Sequence, residues 1–354
     1  MLIGQNVKNR LINSKFDYWQ RNTSFVLNAA AYTADRWYWG VASGGGTLAT
    51  GTITRQSLFI GSSFGEQTYF MRINNTSTGS GLGATSCAYI TQRHEDVRSF
   101  AGKKVKLSVW MSATTAKQVA VYGFQYFGSG GSAGVNINTS ANGFKTLTGS
   151  VARYDFVINV PSVSGKTIGT SSCVEFGIVF QAGSTFLGDF GYGSGLTWGA
   201  TGNIDIVRTM VAEINDDAES FDYEMAGYDL GHELILCQRY YEKSWPHDIV
   251  PGVGSSQPGV TWLDLAEKTG TGTRVHVGQI RFVVKKRSAG GLARIWNHRG
   301  DFNENRMSVY NVDSNQVVTP NWSGTQNGFD GYAEAGVTLT NSTWGAHWTY
   351  DCEL

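Results

Sequence analysis

The densest constellation of chemically able side chains is the stretch Trp296-Asn297-His298-Arg299-Gly300-Asp301-Phe302-Asn303-Glu304-Asn305-Arg306, with Trp322 following in Pro320-Asn321-Trp322-Ser323-Gly324. Indole, amide, imidazole, guanidinium and carboxylate groups stand together there without the period-2 alternation of a half-buried strand. An aromatic face can stack on the CH face of a sugar, while neighbouring amides and cations hydrogen-bond its hydroxyls. The stretch reads as a loop able to hold a glycan, with Trp296, His298, Arg299, Asn303, Asn305 and Trp322 as candidate contacts. The competing reading is a polar hairpin tip with Trp296 tucked beneath it. A second candidate is the loop Gly188–Gly199, whose glycines would present Tyr192 and Trp198.

Catalytic chemistry finds less support. Asp216, Asp217, Glu219, Asp222 and Glu224 form an acidic cluster from which a glycoside-hydrolysing pair could be nominated. Neighbours on a strand point to opposite faces, so Asp216 and Asp217 would not converge. The cluster reads better as a solvated linker. G-x-S-x-G, H-E-x-x-H and P-loop patterns are missing from the sequence. The six histidines (His94, His232, His247, His276, His298, His347) show no metal-ligand spacing. Cys87, Cys173, Cys237 and Cys352 are far apart and form no C-x-x-C, so they read as buried, reduced thiols rather than a zinc site or a disulfide framework. A non-enzymatic protein is expected.

Composition narrows the class of partner. The 354 residues carry 28 basic and 28 acidic side chains, leaving no cationic surplus for a phosphate backbone, and a nucleic-acid partner is disfavoured. Lys103-Lys104 and Lys285-Lys286-Arg287 are short enough to be the solvated ends of strands. No apolar run approaches the ~18 residues needed to span a bilayer, and the first residues lack a signal-peptide core, so a soluble chain made in a cytoplasm is expected. With 45 glycines, 5 prolines and 13% aromatic residues, the chain suits many short strands joined by glycine and asparagine turns.

The elements that would position these groups are mostly strands. Val105–Met111, Val119–Phe127, Tyr154–Val160 and Val174–Gln181 combine period-2 patterning with β-branched and aromatic residues. Thr76–Gly83, Gly128–Gly134 and Gly183–Gly195 are the turn clusters between them. Asp229–Lys243 breaks the pattern. Leu230, Leu234, Cys237 and Tyr241 make one apolar stripe, predicting a helix N-capped by Asp229 that packs on its own domain or about a three-fold axis. Val275–Val284, Met307–Asn311 and Trp344–Tyr350 read as strands again. The prediction is an all-β chain. An antiparallel jelly-roll sandwich occupies residues 1–228, a linking helix 229–244, and a smaller antiparallel β domain 245–354.

A family resemblance enters at Asn9–Trp37, in N-R-L-I-N-S-K-F-D-Y-W-Q-R-N-T-S-F and A-Y-T-A-D-R-W. This resembles the opening of tailed-bacteriophage tail-fibre and virion adhesin proteins, N-L-L-I-N-G-x-F-x-x-W-Q-R-G-x-S-F followed by Y-T-A-D-R-W. Ser14 and Asn22 stand where that pattern has glycine. Gln92–Trp110 is similar to the family's middle strand pair, and Phe127–Gly134 to its glycine loop. Glu233–Ser244 (E-L-I-L-C-Q-R-Y-Y-E-K-S) is similar to its helix, and Thr349–Leu354 to its ending.

Residues 9–215 also resemble a jelly-roll carbohydrate-binding module. In such modules, positions matching Asp17 and Asp205 often help hold a structural calcium. Calcium wants several oxygen ligands, and two carboxylates alone do not make a site. The resemblance implies a non-catalytic virion protein, a homotrimeric tail fibre or receptor-binding component docked on other tail or baseplate proteins. Its partner would be a host cell-surface glycan, and the constellation around Trp296 puts that contact mainly on the C-terminal domain. The alternatives are a capsid or collar decoration protein, then a glycan-degrading tailspike enzyme.

Overall fold

The computed structural model describes residues 9–59, 64, 67–219, 229–252, 258–265, 274–297, 306–309, 315–317, 325–334 and 342–354. The chain divides into two compact units. One comprises Met1–Asp17, Thr23–Leu230 and Leu354; the other comprises Tyr18–Asn22 and Gly231–Glu353.

The first unit opens with β1 (Ser24–Val26), β2 (Ala31–Tyr32) and β3 (Tyr38–Ala42). Next come β4 (Thr50–Ser57), β5 (Tyr69–Ser77), β6 (Cys87–Glu95), β7 (Lys104–Ala113) and β8 (Lys117–Tyr126). The short β9 (Val135–Ile137) and β10 (Lys145–Leu147) lead to β11 (Ala152–Asn159), β12 (Cys173–Ala182), the one-turn helix α1 (Ser184–Gly188) and β13 (Gly202–Ile214). One sheet runs β1-β4-β5-β13-β7-β11. The other runs β10-β8-β12-β6-β3-β2, with β9 added beside β8. The described pairings are antiparallel, and the two sheets form a jelly-roll sandwich. The stretch Gln92–Trp110 runs from β6 into β7, which lie in opposite sheets.

The alternation read from the sequence sets the core. Leu107 and Val109 from one sheet meet Ile90, Phe176 and Ile178 from the other around a small interior void that also touches Phe16 and Trp37. Trp39, Phe176 and Phe180 are at most 2% exposed, and each such burial stabilises the fold by about 1.5–3 kcal/mol. The motif Asn13–Phe16 is a turn in this core. Phe16 N donates to Asn13 O at 3.1 Å, and the Trp37 indole donates to the same carbonyl at 3.0 Å. Asn13 and Phe16 hold positive φ, 52° and 58°, a conformation costing an L-residue about 1–2 kcal/mol that the Phe16–Trp37 ring contact at 5.2 Å helps offset.

The second unit contains α2 (Leu230–Gln238), β14 (Tyr241–Lys243), β15 (Thr261–Leu265), β16 (Arg274–Arg281), β17 (Leu292–Asn297), β18 (Arg306–Val309), β19 (Asn315–Val317), β20 (Gly328–Glu334) and β21 (Ser342–Asp351). β21 is its spine, pairing antiparallel with β14, β15, β17 and β18, while β16 and β20, distant in sequence, form a separate two-stranded antiparallel sheet.

The helix is shorter than its sequence suggested. Tyr241, placed on the helical stripe, instead pairs with Asp351 in β14, and Cys352 N donates to Tyr240 O at 2.8 Å. Sheet pairing to β21 wins over helix continuation. Lys286 is a second correction. It is fully buried rather than solvated, with its ammonium on Glu242 Oε2 and Gln238 O. Lys103 and Lys104, by contrast, pair with Glu213 and Asp217 on partly exposed surface. All four cysteines are free and buried. Among the described residues, no helix is long and apolar enough to cross a membrane.

Candidate functional site

The structure moves the aromatic candidates away from the surface. Trp296 lies in β17, opposite His347 of β21, and is 7% exposed. Trp245 meets it edge-on at 5.1 Å while stacking on His347 at 4.1 Å. Trp296 is thus core of the second unit and offers no stacking face at a loop tip; Asn297 is buried in the same strand. His298, Arg299, Asn303, Asn305 and Trp322 lie outside the described residues.

Tyr192 and Trp198 are also corrected from presented rings to packed ones. The Tyr192 hydroxyl donates to Val121 O at 3.2 Å within an apolar cluster that includes Leu187 and Phe190. Trp198 stacks on Phe180 at 6.1 Å and is 3% exposed. The loop's glycines let it fold its rings inward.

The calcium expectation meets a direct objection at Asp205. Both of its oxygens accept from Arg72, at 2.7 and 2.8 Å. A guanidinium so placed supplies the countercharge that calcium would have supplied and repels a cation there. Asp17 is buried. Among the described residues, no group of three or more His, Cys, Asp or Glu side chains is arranged to hold a metal.

Within the second unit, Gln20 and Arg21 of the first motif meet residues of Glu233–Ser244 and of Thr349–Glu353. Lys243 donates to Gln20 O at 2.8 Å and His247 O at 3.1 Å. Gln20 returns a bond from Nε2 to Tyr241 O. Arg21 lies over the Tyr241 ring at 4.0 Å and binds Asp351 and Glu353. Gln20-Arg21, the Tyr-Tyr-Glu-Lys-Ser run and the Asp-Cys-Glu ending therefore build one structural clasp.

A surface with binding chemistry emerges elsewhere, on the outer face of the sheet β10-β8-β12-β6-β3-β2. Because side chains alternate, Ile90, Phe176 and Trp39 point into the sandwich while their neighbours point out. On β8 the outward residues are Tyr122, Phe124 and Tyr126, opposite Gly177, Glu175 and Cys173 of β12. Glu175 in turn faces Arg93 of β6. Tyr38 faces Thr91, and Tyr32 of β2 faces Tyr38. Gly40 of β3 leaves room for Tyr89: a Cβ there would lie 2.2 Å from the ring. Tyr89 then stacks on Phe186, which forms a wall at one side of the face.

At the centre is a charged pair. Arg93 Nε donates to Glu175 Oε2 at 2.5 Å, and the Tyr122 hydroxyl donates to Glu175 Oε1. Burial works against the charge on Arg93, but the adjacent Glu175 carboxylate outweighs it and holds the guanidinium protonated. Burial and the same carboxylate drive the Tyr122 phenol well above its usual range. The Arg93 guanidinium sits 5.9 Å from the Tyr38 ring centre, and its Nη1 donates to Leu354 O at 2.5 Å. Tyr32 Oη donates to the same oxygen at 2.8 Å. Two donors thus already converge on one oxygen atom at this face. Tyr126 is 45% exposed, Tyr32, Tyr38, Tyr89 and Phe124 are half-buried, and Tyr122 is covered by the apolar cluster of Leu187 and Phe190. The signal in the sequence was the alternation Tyr122-x-Phe124-x-Tyr126, which places three rings on one side of one strand.

No family model matches the chain, and no curated protein matches it. Among solved structures, 55 chains match. One is the enzymatically active domain of bacteriophage CBA120 tailspike protein 4, 16% identical, with a TM-score of 0.28. That match covers 51% of this chain and 19% of the tailspike chain. Another is a CBM4 structure, 14% identical, TM-score 0.30, covering 57% of this chain and 98% of that one. A third is TmCBM61 in complex with β-1,4-galactotriose, 10% identical, TM-score 0.30, covering 58% and 99%.

Proposed function

We propose that this chain is a non-catalytic, glycan-recognising structural protein of a tailed-phage virion. In this reading it acts as a homotrimeric tail-fibre or receptor-binding component and joins other tail or baseplate proteins. The virion assignment rests on the motifs at Asn9–Trp37 and Glu233–Ser244. Glycan recognition rests on one observation, the aromatic outer face of β8, β6, β3 and β2 arranged around the Arg93–Glu175 pair. Rings at several positions along one sheet suit a chain of sugars lying across it, and a fixed guanidinium–carboxylate pair suits hydroxyl groups that both donate and accept. Binding per site would be weak, and three copies on one particle would raise it through effective concentration.

The direct test is adsorption to host cells and to a glycan array by Tyr126→Ala and Tyr38→Ala. Tyr126 is 45% exposed and lies outside the core, so its truncation leaves the core untouched. Loss of adsorption with unchanged thermal unfolding is expected. Unaltered glycan binding by both variants would remove this face from the assignment. The position of the chain on the particle, seen by electron microscopy, separates a fibre from a capsid decoration.

A further inference from the structure

At one end of the sandwich the loop between β5 and β6 and the loop between β12 and β13 line an open cleft of about 720 Å³. That lies within the range of about 300–1,000 Å³ typical of small-molecule sites. We propose that this cleft is a second ligand site, separate from the outer sheet face, and that its ligand is an uncharged polyhydroxylated molecule of sugar size.

The lining determines the ligand class. Thr78, Ser80, Ser184 and Thr197 bring hydroxyls, Gln181 an amide, and glycines on both walls bare main chain; among the described residues none of the lining is ionisable. The nearby Lys117 ammonium, 5.6 Å from the Trp198 ring, is taken up by Trp198 O and Ala200 O and is not part of the lining, so a charged ligand would lose its hydration without touching a countercharge, which is costly. A polyol finds alternating donors and acceptors, and Leu82 and Leu196 give its CH faces apolar contact.

The walls are fixed rather than loose. Gly183 N donates to Ser86 O at 2.8 Å and Thr185 N to Ala84 O at 2.9 Å. Ala182 and Leu196 exchange two bonds at 2.7 Å. A Cβ on Gly183 would fall 2.2 Å from Ala84 O, so glycine is what lets the two loops close on each other. The floor is Trp198, held by its stack on Phe180. A site already locked in shape loses little entropy on binding.

The test uses the full chain and a panel of neutral disaccharides (maltose, cellobiose and lactose), with glucuronic acid as the charged probe, read by ligand-observed saturation-transfer NMR. At least one neutral disaccharide should give a signal that Thr197→Trp and Ser184→Trp each weaken by at least about tenfold. Both positions are exposed rim residues, so either variant fills the cleft without entering the core. Circular dichroism identifies a variant that fails to fold, and the other then carries the test. The Tyr126→Ala chain should retain the signal, which separates this site from the outer face. Absence of any neutral-sugar signal would overturn the proposal. So would equal binding of glucuronic acid, or an unchanged signal in the folded cleft variants.

Discussion

Arg21 and Asp351, 330 positions apart in sequence, meet through two hydrogen bonds from Nε and Nη2 to one carboxylate oxygen, at 3.1 and 2.9 Å. Arg21 also covers the Tyr241 ring and is 13% exposed at its side chain. Truncating a largely buried arginine leaves a carboxylate and an aromatic face without their cation. Arg21→Ala should cost the second unit about 2–3 kcal/mol in urea unfolding. Asp351→Asn, which keeps the shape and an acceptor, should cost less. Equal stability of Arg21→Ala and the parent would mean that the clasp contributes nothing.

Trp296→Ala gives a second, opposite kind of readout. Were Trp296 a loop-tip contact, its loss would abolish binding and leave the fold intact. Packed against Trp245 at 7% exposure, it should instead destabilise the second unit by about 3–5 kcal/mol. Thermal unfolding checks this, and a melting temperature equal to the parent's would return Trp296 to the surface.

The comparison of sequence with structure turns on particular residues. The two-sheet sandwich was legible because strands such as Val105–Met111 and Val174–Gln181 are dense in β-branched and aromatic residues, although Val174–Gln181 is buried at every position and not at alternate ones. In the structure Trp37 and Trp39 are buried while Tyr38 between them is half-buried on the outer face. The aromatic outer face was written in Tyr122, Phe124 and Tyr126, but its meaning needed Arg93, Glu175 and Tyr38 from three other strands, and register across a sheet is not local information. Trp296 misled because its strand neighbours, Arg294 and Asn297, are polar, which masks alternation. Lys286 misled because two flanking cations look solvated, while Glu242, the partner that makes burial tolerable, is 44 positions away. Tyr241 fitted a helical stripe until β21 offered it a partner.

Assembly is open to the same kind of test. Leu230 and Ile235 on α2 are 48% and 47% exposed. A homotrimer joined through this helix would cover them, and Ile235→Lys should shift sedimentation from trimer to monomer without altering the circular dichroism spectrum. A parent chain that sediments as a monomer at micromolar concentration defeats the trimer itself.

His94 makes the first unit sensitive to acid. Its ring lies 5.2 Å from Phe100 and 5.9 Å from Phe176, and Nε2 is buried without a hydrogen-bond partner among the described residues. Burial, followed by repulsion from Arg36 and Arg10, pushes its pKa down from 6.5 to about 3. Between those values the unfolded chain binds a proton that the folded chain refuses. Stability from this group is therefore complete above the unfolded pKa and falls as pH drops toward the folded one. At pH 5 the loss should be about 2 kcal/mol, one and a half units at ~1.36 kcal/mol each. His94→Leu removes the titrating ring, so its stability should change between pH 7 and pH 5 by about 2 kcal/mol less than the parent's. Identical pH dependence in the two proteins, measured by urea unfolding, would show that His94 takes up its proton in the folded state as readily as in the unfolded chain.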